Sequence, residues 1–186
     1  MRYLLILLLV GTLGMVQGCA APIGSGGSLL STSDRRTAGT IVEDDTIESK
    51  SRQRIEDKFK NDARVTVVAF NRLALITGEV KTENMKMDVE RIVGSIPNVK
   101  DVANELMVAT DPKSTIRNND SRIDSNVRAR FSKSKTFASE HIRVVTDAGV
   151  VYLMGLVTHA ESNASSEIAS TTVGVQKVVR AFEYID

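Results

Sequence analysis

The chain has 186 residues, 42% of them hydrophobic, and its 24 Lys and Arg nearly balance its 23 Asp and Glu. That length suits one domain or two small ones, and the neutral balance excludes a global basic footprint for nucleic acid. One cysteine excludes an intramolecular disulfide and a cysteine-based zinc cage, and His141 and His159, the only two histidines, leave little material for a metal site.

Arg2 precedes a dense apolar run, Tyr3 to Val10, continued by Gly11 to Val16. The run is too short and too weakly flanked for a spanning helix and reads as a secretory signal over residues 1–18. It ends in Val16-Gln17-Gly18-Cys19, with an aliphatic residue three before the cysteine and a small residue just before it. That pattern matches the bacterial lipoprotein signal, with Gln17 a looser fit than a small residue; an ordinary A-x-A-type signal with a cysteine nearby is the competing reading. On the lipoprotein reading Cys19 becomes the acylated first residue, and three acyl chains hold far more firmly than one. Ala20 and Ala21 follow with no Asp, which favours the outer membrane, on its inner leaflet and facing the periplasm. Residues 19–42 include Gly24-Ser25-Gly26-Gly27-Ser28 and Ser31-Thr32-Ser33 and show no hydrophobic period, so they are expected to form a flexible linker with a reach of about 25–30 Å.

The rest of the chain repeats itself. Val65-Thr66-Val67-Val68 aligns with Ile142-Arg143-Val144-Val145, and the same offset places Gly78 on Gly155 and Val80 on Val157. Val99, Val102, Leu106 and Val108 match Val175, Val178, Phe182 and Tyr184 after a single-residue deletion. The expected units are residues 43–109 and 119–186, with residues 110–118, around Asp111-Pro112, as the break.

Each unit predicts the same elements in the same order. A polar amphipathic helix comes first, with Ile47, Ser51 and Ile55, or Ile123, Val127 and Phe131, at i, i+4, i+8; Ser121-x-x-Asp124 resembles a capping box. A hairpin follows, Arg64 to Phe70 with Leu73 to Val80, then His141 to Thr146 with Val150 to Val157, joined by short polar turns at Asn71-Arg72 and Asp147-Ala148-Gly149. The second helix runs from about Thr82 to Ile96, burying Met85, Val89, Ile92, Val93 and Ile96. Its counterpart opens at Thr158-x-x-Glu161, a capping-box pattern, and is expected to bury Ala160, Ala164, Ile168 and Ala169. A last strand spans Asp101 to Val108, or Lys177 to Ile185. The fold class is therefore α+β: two tandem αββαβ domains, each with two helices packed on one face of a three-stranded mixed sheet. Units this small have marginal cores, which predicts that the copies pack on each other or differ in stability.

This unit, its buried glycine after the second strand, where strand gives way to helix (Leu75-Ile76-Thr77-Gly78-Glu79-Val80; Tyr152-Leu153-Met154-Gly155-Leu156-Val157), and the terminal Val-x-x-Val strand resemble the BON domain. Two such domains behind a lipoprotein signal resemble dual-BON outer-membrane lipoproteins over nearly the whole chain. The resemblance implies a non-enzymatic periplasmic protein that needs no cofactor. It further implies binding of anionic phospholipid, mainly phosphatidylglycerol, through the second domain, support of envelope integrity and concentration at the division site.

Charge agrees with the second domain. Arg117 to Lys135 holds six basic residues (Arg117, Arg122, Arg128, Arg130, Lys133, Lys135) against Asp120 and Asp124, whereas Glu43 to Arg64 holds seven acidic and six basic. Near an anionic surface each uncompensated Lys or Arg contributes on the order of 1 kcal/mol. The expected lipid-binding residues are Arg122, Ile123, Asn126, Val127, Arg128, Arg130 and Phe131, with Phe131 and Phe137 as candidates to enter the interface. The alternative is that Ile123, Val127 and Phe131 pack on their own sheet and the arginines are solvated opposite. The lipid-facing helix of the related proteins carries a Trp where this chain has Arg122, and the chain has no Trp, which favours headgroup electrostatics over aromatic insertion.

Gly78 and Gly155 read as structural, for backbone conformation or close packing. Neither histidine has a spaced second ligand, and no G-x-S-x-G, P-loop, H-E-x-x-H or paired-carboxylate pattern offers catalytic residues. A different class of function stays open: a protein-interaction adaptor acting on cell-wall remodelling or outer-membrane protein assembly, with envelope proteins as partners and no nucleic acid.

Overall fold

The computed structural model describes residues 34–110 and 117–186. Cys19 and the signal lie outside the described residues. In the first repeat α1 spans Ala38–Phe59 and begins where Thr37 Oγ1 accepts the Thr40 N–H at 3.1 Å. That cap places residues 38–42, expected in the linker, in the first turn of the helix. Thr40, Asp44, Ile47, Ser51 and Ile55 form its buried stripe, the face that the spacing predicts, and Lys60 at φ 47° ends it.

β1 (Ala63–Phe70) and β2 (Leu73–Val80) pair antiparallel around Asn71 and Arg72, whose φ values of 50° and 68° define a type I′ turn. Thr82 caps α2 (Glu83–Gly94), which buries Val89 and Val93. The third position of the sheet is shared by β3 (Asp101–Asn104) and β4 (Met107–Val108), both parallel to β2. A single strand was expected there. Asn104 interrupts it: its Nδ2 donates to Lys86 O and Glu90 Oε2 on α2, and its Oδ1 accepts the Leu106 N–H at 3.2 Å.

The second repeat follows the same path through α3 (Arg117–Phe131), β5 (Ile142–Asp147), β6 (Val150–Val157), α4 (His159–Ser170) and β7 (Lys177–Tyr184). β5 and β6 are antiparallel, and β7 is parallel to β6 without a break. His141, expected to open the strand, closes a short 3-10 turn before it. Ser121 is not a cap, because α3 has already begun at Arg117. The capping box at α4 is present, with Glu161 N donating to Thr158 Oγ1 and Thr158 N donating to Glu161 Oε2 at 2.8 Å. The buried face of α4 is rotated from the one expected: Ser162, Ser165, Ser166 and Ala169 are buried, while Ala160 is exposed. Ser165 and Ser166 bury without cost in unmet polarity because both hydroxyls donate to Ser162 O.

Each repeat has its own helix-on-sheet core. A third cluster joins them: Val68, Phe70 and Leu75 of one sheet meet Tyr152 and Met154 of the other. The repeats therefore pack through their helix-free sheet faces, which is why β2 and β6 are buried on both sides. Arg64 with Asp147 at 2.6 Å, Arg143 with Glu48 at 3.2 Å, and Glu183 with both Asn71 and Lys100 fasten the rim. All three clusters are built from described residues of the two repeats, so this part of the chain carries its own core.

Candidate functional site

The helix to which the charge pattern points, α3, lies on β5 and α4. Ile123, Val127 and Phe131 are 1%, 0% and 2% exposed in the second repeat's core. Phe131 meets Phe137 edge to face at 5.1 Å, and Phe137 is buried too. These four apolar residues, expected at a lipid interface, instead cover the sheet together with Ala164, Ile168 and Ala169 of α4, because the apolar face of a sheet this small needs both helices to shield it. The exposed members of the expected set are Arg122, Asn126, Arg128 and Arg130.

Of the five arginines and lysines between Arg122 and Lys135, two are tied down. Arg128 pairs with Asp124 at 2.6 Å and donates to Val144 O on one flank. On the other flank, Arg130 donates to Ile168 O and Thr172 Oγ1, both at 2.7 Å, and to Thr171 Oγ1 at 3.0 Å. Arg122, Lys133 and Lys135 are exposed and have no bonded partner among the described residues. Matched against α1, Asp45, Thr46, Glu56 and Asp57 give way to Ser121, Arg122, Ser132 and Lys133. The two acidic residues of α3 are withdrawn: Asp124 is paired, and Asp120 is buried.

Asp120 is a functional residue of the fold that residue counting missed. Its Oδ2 accepts the Ala148 N–H at 2.9 Å and its Oδ1 the Gly149 N–H at 2.8 Å, which clamps the β5–β6 turn to α3. Asp44 does the same in the first repeat for Asn71 and Arg72, at 2.8 and 2.7 Å. The signal in the sequence is the shared Asp-x-x-Ile, Asp44 to Ile47 and Asp120 to Ile123.

The segment before α1 is also held. Arg35 forks onto both carboxylate oxygens of Glu161 at 2.7 and 2.9 Å and donates to Leu156 O, while Arg36 lies 4.0 Å over the Phe70 ring and pairs with Asp44 at 2.9 Å. The strap thus ties the first repeat's lead-in to the second repeat. The Arg35 guanidinium, with the Thr158 N–H, holds the Glu161 carboxyl at about 2, below its ordinary 4.5 and against burial, which pushes it up. A lowered carboxylate stabilises the fold fully above about 4.5 and loses that contribution as pH falls toward about 2. Thermal unfolding followed from about pH 5 to about pH 3 is expected to show a falling midpoint whose slope is reduced in Arg35→Gln; an unchanged slope contradicts the assignment.

Gly78 and Gly155 both lie inside the second strand of their hairpins, not beyond it. A Cβ would meet Arg64 O at 1.9 Å in the first and His141 O at 2.4 Å in the second, so the close approach each provides is to the neighbouring backbone. No group of His, Cys, Asp and Glu suited to a metal ion occurs among the described residues, and no described helix is long and apolar enough to cross a membrane.

Two helices on one face of a β-hairpin plus a parallel return strand, given twice, define a tandem BON architecture, and residues 43–110 and 119–186 each match the BON domain family model. The chain is 30% identical over 183 residues to the outer membrane lipoprotein DolP of Haemophilus influenzae, covering 96% of this chain and 95% of that protein. It is 25% identical over 154 residues to the 21 kDa hemolysin of Actinobacillus pleuropneumoniae, covering 82% and 79%. Among solved structures, CdsD, a structural protein of the type III secretion system of Chlamydia trachomatis, aligns at 12% identity and TM-score 0.32 over 78% of this chain and 92% of that one. The chain belongs to the BON-domain family, among its outer-membrane lipoproteins. It is lipid-anchored at the outer membrane and faces the periplasm, in a membrane-associated family of lipoproteins.

Proposed function

We propose that the protein, acylated at Cys19, binds anionic phospholipid, phosphatidylglycerol above all, through the outward face of α3, and thereby supports envelope integrity at the division site. The observation that carries this reading is the separation of charge on α3 and the turn after it: the acids of α3 are turned inward or paired, while Arg122 on the helix and Lys133 and Lys135 just beyond it stand in solvent. The buried stripe makes this headgroup binding and not insertion of the helix. A few cations at about 1 kcal/mol each give weak, salt-sensitive binding, and the acyl tether raises the local concentration enough for weak binding to count.

Vesicles with and without phosphatidylglycerol test it, mixed with residues 20–186, which keep every described residue. Binding is expected to favour phosphatidylglycerol, to fall with salt and to drop about tenfold or more in Arg122→Glu with Lys133→Glu. Lys50→Glu with Arg52→Glu on α1 is expected to change it little. Equal binding to both vesicles, or binding indifferent to salt, overturns the reading. It would favour the adaptor alternative, for which the half-exposed Met87, Met107 and Val108 of the first repeat are the supporting feature.

A further inference from the structure

The most exposed large apolar side chain among the described residues is Val173, at 87%, in the turn between α4 and β7. Thr172 to Val175 is a type II turn: Val175 N donates to Thr172 O at 3.2 Å, and Gly174 sits at φ +93°. The first repeat builds the same turn from Ile96 to Val99, with Val99 N donating to Ile96 O and Asn98 at φ 71°. There the position of Val173 is taken by Pro97. Proline is the favoured residue at that position because its ring fixes the φ that the turn needs. Val173 forgoes that preference, and its side chain packs on nothing in the fold.

The turn is not loose. Thr172 is buried, Arg130 holds Thr171 and Thr172, and Gly174 is seated so closely on α3 that a Cβ would lie 3.0 Å from Ile123 Cγ1. Val173 is therefore carried on the flank of α3 that Ile123 and Arg130 hold to the turn, the flank on which helical spacing also sets Asn126 and Arg122, and away from the Arg128 flank, which turns to β5.

We infer that this turn is a second element of the membrane-binding face: Val173 enters the apolar margin of an anionic bilayer while Arg122 and its neighbours hold the headgroups. The inference rests on the lipid-binding reading above and extends it by assigning the apolar contact to the α4–β7 turn, because the apolar residues of α3 are buried. Complementarity of sign selects the occupant, since the charged side chain nearest along α3 without a partner is a cation and the turn itself carries no carboxylate.

The test uses residues 20–186, which lack the chain's single cysteine, with Val173→Cys carrying an environment-sensitive dye, and Pro97→Cys as the matched position of the first repeat. On vesicles of phosphatidylglycerol and phosphatidylethanolamine the dye at 173 is expected to shift to the blue and the dye at 97 to stay in water. Val173→Asp is expected to lower affinity about fivefold or more with an unchanged unfolding midpoint. A dye at 173 that stays in water on bound protein, or Val173→Asp binding like the parent chain, overturns the inference and leaves headgroup binding by α3 standing. Failure of the parent chain to prefer these vesicles over phosphatidylethanolamine alone overturns both.

Discussion

Gly78→Ala is expected to cost at least about 3 kcal/mol of stability, a large share of what a chain of this size has. Gly78 sits at φ +123°, which a side chain rarely adopts, and its Cβ would fall 1.9 Å from Arg64 O, 2.9 Å from Arg64 C and 3.2 Å from Val65 Cα. All three atoms are backbone of β1, and Gly78 pairs with Val65 inside an eight-pair ladder, so no rotamer change relieves the contact. The two strands must part where Ile76 and Thr77 are buried and where Arg64 reaches across to Asp147. Gly155→Ala is expected to cost less, about 1–2 kcal/mol: its φ lies outside the left-handed region, and its 2.4 Å neighbour, His141 O, belongs to a short 3-10 turn that can shift. Urea unfolding of the two variants checks the order. Equal midpoints would show that the hairpin accommodates a Cβ at Gly78, contrary to the ladder's geometry.

The αββαβ order was legible because both repeats obey the same periods, so each element is read twice. Departures occur where a polar side chain competes with the backbone pattern. Asn104 looks like a strand residue by position, yet its amide satisfies α2 and the Leu106 N–H at once, and the strand stops. The serines of α4 look solvent-facing by polarity, yet bury because their hydroxyls bond back to the preceding turn. Thr37 was invisible as a cap because the residues after it carry no strong apolar period; the buried stripe of α1 begins with Thr40 and Asp44.

The candidate site was legible as charge and illegible as orientation. Counting Arg117 to Lys135 singles out the second repeat by charge but treats Asp120 and Asp124 as surface charges that dilute the basic ones. It also leaves Ile123, Val127 and Phe131 free to serve either sheet or lipid. Burial decides for the sheet. Val173 escaped notice because a lone apolar residue in a turn has no period; only its exposure and the proline at the matched position distinguish it.

Asp120→Ala is the second substitution with a large expected effect, about 3 kcal/mol. The carboxylate is nearly buried and accepts two N–H groups of one turn, each bond charge-assisted. Alanine removes both bonds and leaves two backbone donors of a left-handed turn without their acceptor. Ala148 at φ 50° also loses the acceptor that stabilises a left-handed conformation in a residue with a Cβ. Asp120→Asn is expected to recover part of the loss, since the amide oxygen accepts one N–H while the NH2 group opposes the other. Charge counting makes a different forecast for function: with one anion fewer on α3, vesicle affinity should rise about fivefold. The geometry forecasts no such rise in protein that is still folded, because Asp120 points into its own turn and not toward the face that carries Arg122. Unfolding midpoints and phosphatidylglycerol binding below them, measured on the same variant, separate the two. A tighter-binding, equally stable Asp120→Ala would mean that the carboxylate lies on the outer face and that the clamp does not hold the hairpin.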